Sequence, residues 1–425
     1  MNRKPSVLII FLTVFIDLVG FGIVVPLVPV YSRHFGASGF VIGLIIASFS
    51  AMQFLFSPYW GRLSDRIGRR PVLLISTAGA AASYVLFAFA SGLENHVTAI
   101  WMMILARSFA GVCGGNITVA QAYIADITPP ELRSKKMGLI GMAFGLGFIF
   151  GPAIGGISLK YLGGSGPGWI AAILCAANFL LALFVLVESH KPDSEHVAAR
   201  PHLNQWAHTL GLPKVGLLIY VFFFATFCFS CFEATLALLV CDNFHLDISR
   251  DATTATTATY LFVFCGLIGA IVQGGLIGRI VKKMGEPKVI ALSLVLTAVS
   301  MAILPFIKVS APTPLTWKIL FQPAGLPWVV MLAALALLSV GTSLTRPPLF
   351  GLLSNLAPAN EQGATIGVAQ SAGSLARILG PVFATTALLY LPALPYLSSA
   401  AILLLTAVGV AQRLRNLTPA TSAQK

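Results

Sequence analysis

The sequence predicts an all-α membrane protein whose twelve transmembrane helices form two pseudo-symmetric halves of six helices each. Hydrophobic residues make up 57% of the 425 residues and charged residues only 10%, whereas soluble domains carry about 25% charged residues. Long stretches without Asp, Glu, Lys or Arg approach or exceed the roughly 20 residues that a helix needs to cross a bilayer. Glycine and proline positions also recur between the two halves of the chain.

The charge-free stretches cover much of the chain. They are residues 34–60, 71–93, 108–125, 161–187, 252–278, 319–345 and 378–412. Backbone polar groups in lipid must be satisfied within the protein, and these stretches lack the alternating pattern of a barrel strand, so helices are expected. The predicted spans are 6–31, 39–60, 71–91, 98–124, 136–159, 168–187, 215–240, 253–278, 288–307, 327–345, 364–390 and 394–412.

The distribution of basic residues predicts the orientation of the chain. With the N-terminus in the cytoplasm, most of the 27 Lys and Arg residues fall on the cytoplasmic side, including Arg346 directly after the tenth predicted span. The residues on the opposite side are Arg33, Lys160, Arg250, Lys308 and Lys318. Such a bias is typical of cytoplasmic loops, so both termini are predicted to be cytoplasmic. The net charge of +13 therefore reflects topology, and no nucleic-acid partner is expected.

An internal repeat predicts the two halves. At an offset of 217, residues 61–68 resemble residues 278–285. At an offset of 229, Pro129, Gly138, Gly151 and Pro152 match Pro358, Gly367, Gly380 and Pro381. We therefore predict an N-terminal half over 1–187, a cytoplasmic linker over 188–214 and a C-terminal half over 215–425. Parallel halves of this kind are known from secondary transporters, in which the substrate site lies near the membrane midplane between them.

The loop between the second and third predicted spans is the clearest local motif. It runs over residues 61–71 and combines glycines, one acid and several arginines: Gly61, Arg62, Asp65, Arg66, Gly68, Arg69 and Arg70. The glycines allow a tight turn and close helix approach, and Asp65 is an anion that could hold neighbouring helix ends together. We predict a cytoplasmic gate here. The alternative is that the arginines only mark the cytoplasmic side.

Several motifs together resemble the major facilitator superfamily, and within it the drug/proton antiporters related to tetracycline efflux pumps. The 61–71 loop is similar to the superfamily signature between helices 2 and 3. The other motifs are residues 17–29 in helix 1, Arg107 with Gly111 and Gly115 in helix 4, residues 122–128 at the helix 4–5 boundary, and Gly147, Gly151, Pro152, Gly155 and Gly156 in helix 5. The resemblance implies the major facilitator fold and adds Asp126 to the gate.

The chain departs from the tetracycline pumps at three places. It has Ser83 where they carry an acid in helix 3, no acid over residues 289–307 in helix 9, and no histidine in helix 8. Asp17 and Glu233 are then the acids left for coupling.

Four charged side chains lie deep in the predicted spans, namely Asp17, Arg107, Glu233 and Arg377. Each costs about 2.5–3.5 kcal/mol at a helix centre, so we expect these groups to face a cavity and to have partners. Asp17 is the leading candidate for loading and releasing a proton, with Arg107 and Glu233 as further members of the proton-coupling set. The alternative for Asp17 is a fixed ion pair with Arg107.

Substrate contact is predicted for Glu233, Arg377 and three amides of the spans, Asn116, Gln121 and Gln370. Glu233 lies in a phenylalanine-rich segment, whose rings attract cations, and it is either a drug contact or a second protonation site. Arg377 either balances Glu233 or has a structural role. Amides in membrane helices also join helices to one another, which is our interpretation of Gln273.

Helix 5 combines small residues with a proline, and we predict a hinge at Gly151, Pro152, Gly155 and Gly156. Small residues let helix backbones approach closely, and an internal proline bends a helix. A glycine-lined, bent helix between the two halves could move during transport. The alternative is static close packing.

The function predicted from these features is proton-coupled export of small hydrophobic or amphipathic compounds by alternating access, at a bacterial-type inner membrane. The alternative is proton-coupled uptake of a small sugar or organic anion, although the helix-5 resemblance favours export. Other classes are less favoured. No nucleotide-binding loop is present, the Cys228 and Cys231 pair lacks further metal ligands, and all 7 histidines lie outside the deep membrane region, which disfavours an enzyme. A receptor on a transporter fold stays open. We expect a monomer in membrane lipid, with protons and a small molecule as partners and no cofactor or metal.

Overall fold

The computed structural model describes residues 5–190, 202–246, 252–313 and 315–414. Over these ranges all regular elements are helical. Residues 191–201 of the predicted linker and the ends of the chain, with Arg3, Lys4, Arg415 and Lys425, lie outside the described residues, as does Arg250.

Twelve long helices follow one another within the described ranges. They are α1 (Val7–Leu27), α2 (Phe40–Ile67), α3 (Arg69–Ser91), α4 (His96–Ile127), α5 (Pro130–Leu162), α6 (Gly166–Val185), α7 (Lys214–Phe244), α8 (Tyr260–Met284), α9 (Glu286–Phe306), α10 (Pro323–Leu356), α11 (Gln362–Tyr390) and α12 (Leu394–Arg413). All except α11 are apolar enough to cross a membrane by length and composition. α11 has 29 residues and a more polar sequence. Short helices cover Val28–His34, His202–Gly211 and Trp317–Leu320.

The outer surface of the helices is apolar, as a membrane-embedded protein requires. Phe184 is 72% exposed and Leu405 is 74% exposed, and both lie within long apolar helices. An apolar surface of this extent is unfavourable in water. The chain is a multi-pass membrane protein.

The internal repeat is visible in the backbone. Gly68 has φ 98° and separates α2 from α3, and Gly285 has φ 79° and separates α8 from α9. Glycine adopts this region of φ readily because it has no Cβ. Pro152 lies inside α5, and Pro381 lies inside α11 at the matching position. The pseudo-symmetry predicted from the sequence is therefore confirmed.

The contacts divide the chain into two compact units. The first unit comprises Met1–Ile219 and Phe350–Leu375, and the second comprises Tyr220–Leu349 and Ala376–Lys425. In the first unit α1 packs on α5 and α6, and α3 packs on α4 and α6. In the second unit α9 packs on α12. The predicted division at the 188–214 linker stays a prediction, since the end of α10 and the first part of α11 group with the first unit.

The glycines of α5 lie against α1 within the first unit. A Cβ at Gly151 would come within 2.5 Å of the backbone of Gly22, and one at Gly155 would come within 3.0 Å of the Ile23 carbonyl oxygen. Gly156, on the same helix, has open space around it. This contact corresponds to the close-packing alternative for Gly151 and Gly155, and the hinge role stays a prediction.

The contrast between these glycines gives a matched test of packing. We expect Gly151→Ala to lower the unfolding free energy by about 1–3 kcal/mol, because the added methyl group meets backbone atoms that cannot rotate away. Gly156→Ala should be neutral or stabilising by up to about 1 kcal/mol, because alanine favours helix formation. Thermal unfolding of the purified variants measures the difference. Equal melting temperatures for the two variants would contradict the close α1–α5 contact.

Candidate functional site

Asp17 is buried near the middle of α1, where its carboxylate contacts two neutral side chains. The Asn116 amide of α4 donates from Nδ2 to Oδ2 of Asp17. The Cys175 thiol of α6 donates to Oδ1, with 3.8 Å between sulfur and oxygen. Asp17 is 9% exposed and Asn116 is 6% exposed. Three helices thus enclose a single acid with neutral partners.

Local glycines explain how these groups reach Asp17. Gly20 lies one turn further along α1, and a Cβ there would come within 2.9 Å of the Cys175 sulfur and 3.3 Å of the Tyr84 ring. The helix of α4 is interrupted at Gly114 and Gly115 and resumes at Asn116. The interruption places the Asn116 side chain at the start of a new helical segment, facing α1.

Arg107 lies buried in the same unit but apart from Asp17. Its guanidinium carbon is 4.7 Å from the Phe49 ring centroid and 5.6 Å from that of Phe21. The residues that line the same small space as Arg107 are Val24, Ser83, Tyr84, Phe87, Ala106 and Ala110. Two of its buried nitrogens, Nε and Nη1, have no hydrogen-bond partner within the described part of the chain.

Tyr84 lies beside both charged groups, since its ring is 3.3 Å from a Cβ placed at Gly20 of α1 and it lines the same small space as Arg107. Among the described residues no ion pair joins Asp17 to Arg107, so the fixed pair considered from the sequence is not present in this conformation.

The predicted substrate amides Gln121 and Gln370 contact each other. Nε2 of Gln370 donates to Oε1 of Gln121 at 2.9 Å, and both side chains are buried. Nearby, Ser374 of α11 donates to Oε1 of Gln53 in α2 at 2.9 Å. These polar contacts join α2 and α4 to α11 within the first unit.

The predicted gate residue Asp65 receives hydrogen bonds from the beginning of α11. The backbone N–H groups of Gly363 and Ala364 donate to its two oxygens at 2.9 and 2.8 Å. The first N–H groups of a helix have no partner within the helix, and they favour a negative charge. The Asp65 side chain, which belongs to α2, therefore caps the N-terminus of α11.

Arg69 balances the charge of the gate. Its Nη1 donates to Asp65 at 2.6 Å, and its Nε donates to Asp126 at the end of α4 at 3.0 Å. Nη1 also contacts the Ser64 hydroxyl at 2.7 Å, and the whole side chain is inaccessible to solvent. The structure thus brings together Asp65, Arg69 and Asp126. We call Asp65, Arg69, Asp126 and the Gly363 and Ala364 amides the latch.

The other predicted gate residues surround the latch. Gly61 faces Gly363, where a side chain on either residue would meet backbone. Arg70 donates from Nη2 to the Leu183 carbonyl oxygen at 2.8 Å, and Arg66 is exposed. Gly61 thus lies against the start of α11.

Glu188 is a contact that the sequence reasoning missed. Its two oxygens accept the backbone N–H groups of Arg69 and Arg70 at 2.8 and 3.0 Å, which caps the start of α3. Gly68 makes room, since a side chain there would meet the Glu188 carboxylate. The next residue, Ser189, donates to Asp126 at 3.0 Å. The signal in the sequence is an acid directly after α6, at the side predicted to carry the gate.

A second group of charged side chains lies within helices of the second unit. Glu233 of α7 is exposed, and Arg346 of α10 and Arg377 of α11 are partly exposed. Arg346 lies about three turns before the end of α10 at Leu356, so the predicted end of the tenth span at residue 345 was wrong, while the cytoplasmic position of Arg346 stays a prediction. The predicted span ended at the last residue before the charge, whereas the helix continues through Arg346, Pro347 and Pro348.

Phenylalanines lie on the helices that carry these charged side chains. The guanidinium of Arg346 lies 5.3 Å from the Phe222 ring centroid. Phe222 and Phe232 are buried, and Phe227 contacts Phe383 of α11 at 5.6 Å between centroids. The ring of Phe222 therefore supports an arginine, while other rings of the segment pack in the protein core.

The cysteines near Glu233 have structural contacts. Cys231 donates to the Gly380 carbonyl oxygen at 3.3 Å and Cys228 to that of Ser399 at 3.6 Å. Among the described residues there is no group of three or more metal-ligating side chains. Both thiols are satisfied by backbone oxygens.

Comparisons with known proteins agree with this architecture. The family model described as Major Facilitator Superfamily matches residues 10–381 and 275–425. The class E tetracycline resistance protein of Escherichia coli is 33% identical over 389 residues, which cover 90% of this chain and 87% of the relative. Multidrug resistance protein 2 of Bacillus subtilis is 27% identical over 390 residues, covering 89% and 88%.

Solved structures show the same fold at lower identity. The crystal structure of the human organic anion transporter MFSD10 superposes with a TM-score of 0.78 at 23% identity, over 96% of this chain and 100% of that one. A bacterial homologue of the iron transporter ferroportin, in an outward-facing state, has a TM-score of 0.70 at 14% identity, with coverage of 96% and 99%. With a family match across most of its length and a tetracycline resistance relative at 33% identity, this chain belongs to the Major Facilitator Superfamily of membrane transporters.

Proposed function

We propose that the chain is a proton-coupled exporter of small hydrophobic or amphipathic compounds that works by alternating access. The observation that carries the proposal is the buried Asp17 carboxyl, which has only Asn116 and Cys175 as hydrogen-bonding partners in the described structure. Relatives named for tetracycline resistance and multidrug resistance support export as the direction and drugs as the class of substrate.

Asp17 is suited to carry the proton because of its surroundings. A buried ionised carboxylate without a cation is very unfavourable, whereas the neutral acid tolerates such a site. We infer that Asp17 holds a proton in this conformation. When water reaches it from one side of the membrane, the ionised form becomes tolerable and the proton leaves. The proton is then bound again from the other side.

Arg107 supplies the positive charge that the ionised form needs. Its Nε and Nη1 nitrogens have no hydrogen-bond partner in the described structure, and buried donors of this kind gain from a partner, so they are suited to bind an ionised carboxylate. We propose that ionised Asp17, through a movement of α1 relative to α4, approaches Arg107 by way of Tyr84. The Asp17 carboxylate would then be neutralised in turn by a bound proton and by the Arg107 guanidinium.

The latch is the proposed cytoplasmic gate. It joins the end of α2 to the start of α11 through a buried ion pair and two backbone hydrogen bonds. Breaking the latch separates Arg69 from Asp65, which is energetically costly. This cost keeps the end of α2 on the start of α11 until the substrate and the proton have been exchanged. Gly151, Pro152, Gly155 and Gly156 are retained as the proposed hinge in α5.

The remaining elements of the proposal rest on the charge distribution. The excess of basic residues on one side supports an inner-membrane protein with both termini in the cytoplasm. We propose that it acts as a monomer in lipid and needs only its substrate and protons.

Asp17→Asn tests proton coupling. Because asparagine cannot exchange a proton, we expect accumulation driven by a pH gradient to fall to the level of protein-free vesicles, while the variant stays folded in the membrane. Export is measured in proteoliposomes with fluorescent amphipathic compounds. Asp242→Asn is the matched control, since Asp242 is an exposed acid at the end of α7, and it should transport like the wild type. Gradient-driven transport by Asp17→Asn at the wild-type rate would remove Asp17 from the mechanism.

Asp65→Asn tests the latch. The variant leaves Arg69 buried with one acid fewer, and breaking a buried pair costs about 3–5 kcal/mol. We therefore expect a clear decrease in melting temperature together with slower transport. Glu131→Gln, an exposed acid in the first turn of α5, should change neither. If Asp65→Asn melts with the wild type, the contact with α11 contributes no stability and the gate assignment is wrong.

A further inference from the structure

We propose that the linker between α6 and α7 is a working part of the cytoplasmic gate and holds it closed through contacts at both of its ends. This inference rests on the proposed function and adds Ser189, His190, Trp206 and His208 as positioning residues of the gate. From the sequence, residues 188–214 are predicted only to connect the two halves. The four added residues and the latch all belong to the first unit.

The start of the linker binds two members of the latch. The Ser189 hydroxyl donates to Oδ2 of Asp126 at 3.0 Å, and this is the oxygen that also accepts Nε of Arg69. Nε2 of His190 lies 3.2 Å from the backbone carbonyl oxygen of Asp65. Because a carbonyl oxygen only accepts hydrogen bonds, Nε2 is the donor. The first residues of the linker therefore contact both acidic residues of the latch.

The other described end of the linker is a helix that is buried along one face. We call this element, His202–Gly211, the linker helix. Gln205 and Thr209 lie one turn apart and are 2% and 0% exposed, and Nε2 of Gln205 donates to the Thr209 hydroxyl at 3.1 Å. Asn204 and Ala207 of the same helix are exposed. A surface helix with this pattern packs on the protein along its buried face.

The linker helix contacts the same two elements that the latch joins. The ring of Trp206 lies 5.9 Å from the ring of Phe54 in α2, measured between centroids. Nε2 of His208 lies 3.4 Å from Oε2 of Glu361, the residue directly before α11. Glu361 is two residues before Gly363, whose N–H belongs to the latch. The linker helix thus bridges α2 and the start of α11 by contacts separate from the latch.

The Trp206 contact lies where α2 and α11 touch each other. The Ser371 hydroxyl of α11 donates to the carbonyl oxygen of Phe54. One turn before Ser371, a Cβ at Gly367 would come within 2.6 Å of the Ser57 carbonyl oxygen of α2. If α2 and α11 separate here, the linker helix loses its contact with at least one of them. Its two contacts therefore add to the cost of opening the gate.

The linker helix is also held against the beginning of α7. The chain turns sharply after Gly211, and the N–H of Gly216 donates to the Leu212 carbonyl oxygen at 2.8 Å. A Cβ at Gly216 would meet the Leu210 carbonyl oxygen, so only glycine fits this close approach. A movement at the start of α7 is therefore transmitted to the linker helix and through it to the gate.

The test measures the distance between the ends of α2 and α11 in the purified full chain. Spin labels are attached to cysteines introduced by Ile67→Cys and Asn360→Cys, since both residues are exposed. The described cysteines are buried except for Cys265, and Cys265→Ser is included in every sample. Pulsed double electron–electron resonance gives the populations with short and long distances between the labels, which correspond to the closed and open gate.

Trp206→Ala and His208→Ala should each raise the ratio of open to closed populations by about three- to tenfold, because one contact of the linker helix is lost. Trp206→Phe keeps an aromatic ring and His208→Gln keeps an N–H donor, so both should stay within about twofold of the wild type. Asn204→Ala is the matched control on the exposed face of the same helix, and it should leave the ratio unchanged. Melting temperatures identify variants that fail to fold, and since the Trp206 and His208 contacts are separate, either one tests the inference.

Unchanged populations in the folded alanine variants would overturn the inference, and so would a lower melting temperature without a population shift, which indicates a purely structural role. An equal shift in Asn204→Ala would contradict it as well. Asp65→Asn in the same labelled protein separates this failure from that of the proposed gate. A shift with Asp65→Asn alone supports the latch and rejects the role of the linker. A shift with the linker variants alone supports the linker and rejects the latch, and no shift in any variant rejects both.

Discussion

A charge that is buried among membrane helices must be neutralised, and the protein does this in different ways at Asp17 and at Arg69. The cost of an uncompensated charge at this depth is several kcal/mol. Asp17 has neutral donors and is proposed to hold a proton. Arg69 lies between two carboxylates. The two solutions correspond to the proposed coupling site and gate.

Close approach of backbones allows these charged groups to meet. Gly61 and Gly363 bring α2 and α11 together, so the Asp65 carboxylate reaches amides at the start of α11. Gly20 leaves space for Cys175 and Tyr84 beside α1. Because helices in lipid gain little from hydrophobic contact with one another, small residues and polar bonds must hold them together. Polar contacts at the gate are therefore both structural and suited to breaking and forming again.

Much of this arrangement could be predicted from the sequence, because it depends on composition and period. Charge-free stretches predicted the helices, and the match at an offset of 217 predicted the repeat seen at Gly68 and Gly285. The gate motif placed Asp65 and Arg69 four residues apart, which is one helical turn. These features depend on residues that are close in sequence, so they can be recognised without knowledge of the tertiary structure.

The contacts between distant helices could not be predicted in this way. Asn116 and Cys175 reach Asp17 only because α4 is interrupted and α6 packs on α1. Glu188 caps α3 across more than one hundred residues of sequence. The tenth span was predicted to end before Arg346 because a charge next to an apolar stretch resembles the end of a span, while the helix continues past it. The pairing of Gln121 with Gln370 likewise depends on tertiary structure.

The central claim is that the Asp17 carboxyl exchanges a proton, and infrared difference spectroscopy of the purified protein tests it without a substrate. Spectra recorded between acidic and alkaline buffer report the carbonyl band of protonated carboxylic acids. The proposal predicts a band from a buried acid that disappears on alkalinisation in the wild type and is absent from Asp17→Asn at every pH. Identical carboxylic-acid bands in the two proteins would show that Asp17 does not change its protonation state between these pH values, and proton exchange at this residue would be excluded.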